Sequence, residues 1–118
     1  MSTDKRLIMI NKLLLNTLAG KVDWEETVQP EEYIATIGIN SIIIGALRDS
    51  DGDLVPFIKL QDEFGSTVDD FIYSDIEEQN AYTIMVDIYK KARGIAKGID
   101  KVLNDIISQL ESDEEIPF

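Results

Sequence analysis

The strongest constraint on this chain lies in its final third. There, apolar residues recur every three or four positions: Met85, Ile88, Ala92, Ile95, Ile99, Val102, Ile106 and Leu110. At about 100° per residue these side chains fall on one side of a helix. The rhythm predicts one long helix from about Asp75 to Leu110, with Lys90, Arg93, Lys97 and Lys101 on the opposite side. So wide an apolar stripe has to be covered by another layer of structure.

The beginning of the chain carries the same kind of pattern. Ser2 or Thr3 can cap a helix, Gly20 can stop it, and Leu7, Ile10, Leu14 and Leu18 recur at helical spacing, widened by Ile8, Leu13 and Leu15. Asp4, Asn11, Lys12 and Asn16 interrupt the apolar stretch and no small-x-small cleavage site follows, so the segment reads as an amphipathic helix rather than a signal peptide. No apolar run approaches the roughly 20 residues that span a bilayer. A cytoplasmic location is therefore expected.

Between the helices the pattern is that of strands. Tyr33, Ala35, Ile37 and Ile39 alternate, and Gly38 to Ser41 can turn the chain into the β-branched run from Ile42 to Leu47. Asp51-Gly52, inside Asp49–Asp53, supplies the positive φ of a tight hairpin before a third strand, Leu54 to Leu60. Pro56 in that strand predicts a sheet edge or a bulge. Asp62 to Gly65 makes another turn before Val68 to Tyr73. The expected fold is α+β: an N-terminal helix, a three- to four-stranded antiparallel meander, and a long C-terminal helix packed on the sheet. Residues 1–110 form one domain, and 111–118 a flexible, disordered acidic tail with four acids and no base.

The chemistry is bounded by what is missing. The 118 residues include no cysteine and no histidine, which removes thiolate chemistry, the commonest general base and the commonest transition-metal ligand. Phosphate-loop motifs are likewise lacking, and adjacent carboxylates such as Asp69 and Asp70 point to opposite faces of a strand. No catalytic residue, cofactor site or metal site is predicted. The Asp49–Asp53 run does not fit a calcium loop, because its glycine comes at position four and Leu60 stands where the bidentate glutamate belongs.

A net charge of −12 argues against wrapping duplex DNA. Two charged groups remain as candidate surfaces. Asp62, Glu63, Asp69, Asp70, Asp75, Glu77, Glu78 and Asp87 follow one another without an intervening base, as a solvated surface or a mimic of nucleic-acid phosphates. Lys90, Arg93, Lys97 and Lys101 make a basic stripe, either solvated and paired (Asp87 with Lys91, Asp105 with Lys101) or a weak nucleic-acid contact. The aromatic residues are explained mostly by core packing. Gly94 and Gly98, one turn apart, mark a weak or bent point in the helix, a close approach to the sheet, or a small-residue contact with another helix in a homodimer.

The sharpest feature is the ending Asp113-Glu114-Glu115-Ile116-Pro117-Phe118. Phe118 can fill an apolar pocket and its α-carboxylate can meet a basic group beside it. Pro117 stiffens the peptide, and the acids can steer it to a basic rim. This ending resembles the acidic tip of bacterial single-stranded DNA-binding proteins, a run of Asp followed by Ile-Pro-Phe; two of the acids here are Glu instead. The resemblance covers these six residues and not the body, which lacks the features of that family's OB-fold. It implies that Ile116, Pro117 and Phe118 anchor, and Asp113, Glu114 and Glu115 guide, docking onto enzymes of DNA replication, recombination or repair. The resulting expectation is a non-enzymatic interaction module, of a kind a phage could encode, with nucleic acid touched indirectly or weakly. The alternatives are an acidic inhibitor or DNA-mimic, immunity-type protein, and a single-stranded DNA-binding protein with a non-OB body.

Overall fold

The computed structural model describes residues 4–112. Helix α1 spans Lys5–Leu18. Its N-cap is Asp4, whose carboxylate accepts hydrogen bonds from the backbone N–H groups of Arg6 and Leu7 at 2.9 and 3.4 Å; Ser2 and Thr3 lie outside the described residues. The helix ends as its glycine predicts. Gly20 is left-handed (φ 74°), its N–H bonds to the Thr17 carbonyl, and the Lys21 N–H reaches back to the Asn16 carbonyl.

Five strands follow: β1 (Glu25–Glu26), β2 (Glu32–Ile37), β3 (Asn40–Arg48), β4 (Leu54–Gln61) and β5 (Thr67–Ile72). They pair in sequence order as one antiparallel sheet. The two-residue β1 extends the predicted meander; polar on both positions, it carries no alternation that would announce a strand. Gly38 (φ 64°) and Ile39 form a two-residue turn between Ile37 and Asn40, so Ile39 leaves the strand that alternation gave it. The predicted edge at Pro56 is local. Strand β4 lies inside the sheet, but β5 pairs with it only from Phe57 onward, leaving Pro56 beside β3 alone.

The next two turns share one construction. In the first, the Asp49 carboxylate accepts from the N–H groups of Asp51 and Asp53, and Gly52 is left-handed. In the second, Asp62 does the same for Phe64 and Ser66, with Gly65 left-handed. An aspartate three residues before a glycine thus closes both hairpins through its own side chain.

After a short 3-10 turn at Tyr73–Asp75, the predicted long helix begins later and is two helices: α2 (Ala81–Ala96) and α3 (Ile99–Ser112). Lys97 caps α2, and Gly98, at φ 63°, takes the left-handed conformation that ends a helix. Glu111 and Ser112, placed in the tail by composition, belong to α3. Helices α1 and α2 pack against each other, and α2 crosses β1 to β4. The core lies between this helical layer and one sheet face, built on Ile10, Leu13, Trp24, Tyr33, Ile44, Ile58, Met85 and Ile88. On α1 the buried line is Ile10, Leu13 and Thr17, whereas Leu18 is exposed. Thr17 is admitted because its hydroxyl accepts the indole N–H of Trp24 at 3.1 Å, which satisfies both buried groups.

Candidate interaction surfaces

Helix α3 holds to the apolar rhythm after the break but leaves the body. None of its residues is buried, and its main contacts are with α2. Ile99, Val102, Leu103, Ile106, Ile107 and Leu110 are between 39% and 62% exposed. They cover one side of the helix, with Asp100 and Glu111 along one margin and Asp105 near the other. An isolated four-turn helix is marginal in water, and such a face is stabilised by covering it.

A second apolar surface lies on α1. Ile8, Met9 and Leu13 face Val22, Ile37 and Ile42 across an open groove of about 510 Å³. Ile37 and Ile42 belong to the core side of the sheet, but the helical layer stops short of the β2–β3 turn and leaves Ile37 43% exposed. Lys5, Lys12 and Lys21 stand around the groove. None of them forms an ion pair among the described residues, whereas five other bases each hold an acid. Sequence reasoning missed these lysines. The signal was a local charge imbalance: the first 22 residues hold four bases and one acid in a chain that is otherwise strongly acidic.

The predicted basic stripe is divided and mostly neutralised. Arg93 approaches Glu31 at 3.8 Å, Lys97 approaches Glu26 at 3.6 Å, and Lys101, now on α3, approaches Asp105 at 3.4 Å. No ion pair joins Asp87 to Lys91 among the described residues. Lys90 is exposed and lines a shallow cleft with Arg48, Arg93, Tyr89 and Glu31. Glu31 has a left-handed backbone (φ 63°), a conformation that costs a non-glycine residue roughly 1–2 kcal/mol. Its carboxylate accepts the Tyr89 hydroxyl and attracts Arg93, which together fix it there. Burial pushes the Tyr89 phenol well above its usual range, and the Glu31 hydrogen bond adds to this. Tyr33, 6.0 Å from the Tyr89 ring, has a buried hydroxyl without a hydrogen-bond partner among the described residues; burial and then the Glu31 charge push its pKa up as well.

The predicted acidic surface is not one surface. Asp62 and Glu63 sit at the β4–β5 turn, where the Asp62 carboxylate is occupied by backbone N–H groups. Asp69 points toward the helices and takes a two-pronged bond from Arg6 at 2.8 and 3.0 Å. That bond holds its carboxyl below the usual aspartate range and raises the guanidinium pKa. Asp70, one residue on, lies on the opposite face, and Asp75 caps the chain at the Ile72 N–H. Glu77 and Glu78 are exposed in the connection to α2, and Asp87 lies on α2 itself. Asp49, Asp51 and Asp53 bring carboxylate oxygens within 4.8 Å of one another, but all three are exposed and Asp49 is engaged in closing its turn.

The aromatic residues divide similarly. Trp24, Tyr33, Phe71 and Tyr89 are core, whereas Phe64 is 83% exposed at its turn. Phe57 lies on the outer sheet face over Gly45, so closely that a Cβ on Gly45 would stand 2.4 Å from the ring. At Gly94 an added Cβ would meet only Ile99 Cδ1, at 3.9 Å, and at Gly98 nothing within 4 Å; neither glycine marks a close approach within the chain.

The tip Asp113–Phe118, with Asp113, Glu114, Glu115, Ile116, Pro117 and Phe118 as its predicted docking residues, lies outside the described residues. No helix among the described residues is long and apolar enough to cross a membrane. No family model matches the chain, and no curated protein or solved structure matches it significantly.

Proposed function

We propose that this protein is a non-enzymatic, cytoplasmic interaction module of DNA metabolism that docks on a replication or repair enzyme through Asp113–Phe118. The observation that supports this reading is the form of α3. It is a helix without a buried residue, and the acidic Ile-Pro-Phe ending follows directly on its last residue, Ser112. Ile116, Pro117 and Phe118 supply the apolar anchor and the three preceding acids the attraction to a basic rim. Nucleic acid is reached through the partner.

The test compares the chain with a version lacking Ile116–Phe118 as bait in bacterial lysate, with bound proteins identified by mass spectrometry. Replication or repair enzymes retained by the first and lost by the second are the expected result. Equal capture by both removes the tail from the mechanism. Reversing the exposed Asp70, Glu77 and Glu78 to Lys serves as the opposite control, since an acidic mimic would lose its partner there and keep it when the tail is cut.

A further inference from the structure

Helix α3 and the α1 groove are two apolar surfaces left open among the described residues, and they match. We infer that they cover each other between two copies of the chain: α3 of one copy enters the groove of the other, and reciprocally, in a closed two-fold pair. This goes beyond the docking role of the tail and does not depend on it.

Three features carry the match. The first is length. Ile99 to Leu110 and Lys5 to Asn16 each span twelve residues, about 18 Å of helix, so the apolar face is as long as the groove wall it lies along. The second is charge. Within the described residues Lys5, Lys12 and Lys21 around the groove form no ion pair, and neither do Asp100 and Glu111, which flank the α3 face. In a chain of net charge −12 a second copy is repelled almost everywhere, and this groove is where an acidic helix is attracted. The third is area. Six α3 side chains are between 39% and 62% exposed, and with both joints of the pair formed their burial approaches the lower end, about 1,200 Å² in total, of stable interfaces. Two-fold symmetry makes both joints form together and leaves neither α3 uncovered.

The experiment uses the full chain and two variants at exposed positions, Ile106→Asp on α3 and Ile8→Asp in the groove, with circular dichroism to check that each folds. Sedimentation over a range of concentrations should give the mass of two chains for the unaltered protein. Each variant alone should associate about a hundredfold more weakly or worse, because an aspartate is then buried in an apolar joint. Mixed together, the variants should pair more tightly than either does alone and less tightly than the unaltered chain, since one of the two joints, the intact α3 of one against the intact groove of the other, is restored. A chain that stays monomeric, a groove variant that pairs as well as the unaltered protein, a mixture that pairs no better than either variant alone, or masses that grow beyond two chains would each overturn the inference. The chain lacking Ile116–Phe118 should still pair, which separates this result from any failure of the tail.

Discussion

Helices α2 and α3 are consecutive, similar in length and written in the same apolar rhythm, yet they end in opposite environments. On α2, Met85, Ile88 and Ala92 are wholly buried against α1 and the sheet; on α3, Val102, Ile106 and Leu110 are half exposed or more. The difference is made by one backbone conformation. Gly98 turns left-handed, the chain leaves the α2 axis, and the stripe that followed the core now faces outward. Periodicity therefore reports that a surface seeks cover, and the connections decide whether the cover comes from within the chain. The same contrast divides α1, whose Ile10–Leu13–Thr17 side is buried and whose Ile8 side lines the open groove.

The largest expected effect tests the contrast directly. Met85→Ala, at a site with no exposure, should cost about 2–5 kcal/mol in urea unfolding, because the cavity cannot be filled from solvent. Val102→Ala on α3 should cost less than about 0.5 kcal/mol in dilute solution. Comparable losses at both sites would mean that α3 is packed within its own fold.

Next in size is the buried side of α1. Thr17→Val keeps the shape but leaves the Trp24 indole N–H buried without an acceptor, at a cost of roughly 1–3 kcal/mol. Thr17→Ser retains the oxygen and should lose clearly less. Equal losses would show that the methyl group, not the hydrogen bond, holds the site.

These cases also show what the sequence could and could not reveal. The α+β class, the helix stop at Gly20 and the two hairpin turns were legible because each rests on a local physical rule. Apolar residues at helical or alternating spacing mark helices and strands, and a glycine supplies the positive φ at which a helix stops or a hairpin turns; the Asp49 and Asp62 carboxylates that close the two turns came only with the structure. Thr17 was illegible because a threonine on an apolar stripe reads as an interruption until its acceptor role toward Trp24 is known. The separation of α2 from α3 was hidden because Gly98 fits a tolerated interior glycine as well as a terminator, and the uninterrupted rhythm favoured the first. The groove was further out of reach. Ile37 and Ile42 look like ordinary strand core, and only the position at which α1 crosses the sheet exposes them beside Lys12. Conversely, the acids from Asp62 to Asp87 are contiguous in sequence and scattered in space, since strand alternation sends Asp69 and Asp70 to opposite faces.

Two glycine substitutions of opposite sign sharpen the account of the break. Gly98→Ala should cost about 1 kcal/mol, because its left-handed backbone is unfavourable for any residue with a Cβ. Gly94→Ala, within α2 and with open space beside it, should stabilise by up to about 1 kcal/mol by reducing the freedom of the unfolded chain. If Gly98→Ala is instead neutral and raises helical content, α2 and α3 merge into one rod, and the glycine alone holds them apart.

The smallest effect concerns the tie between α1 and the far edge of the sheet, which fixes where the groove wall begins. Arg6 grips Asp69 on β5 and lies 4.8 Å over the Phe71 ring, immediately beside Lys5. The hydrogen bonds to Arg6 depress the Asp69 pKa in the folded chain. A depressed carboxylate stabilises the fold above its unfolded pKa, near 4, and that contribution disappears as pH falls through the lower folded value. Arg6 stays charged throughout, so the acid limb belongs to Asp69. The pair is about one-third exposed, and salt should screen it. The melting temperature of Asp69→Asn should therefore lie slightly below that of the unaltered chain above about pH 5, and the gap should close below about pH 4. A gap that persists unchanged at low pH would mean that asparagine disturbs packing around Arg6 and Phe71, and that the charge pair itself does not hold α1 to β5.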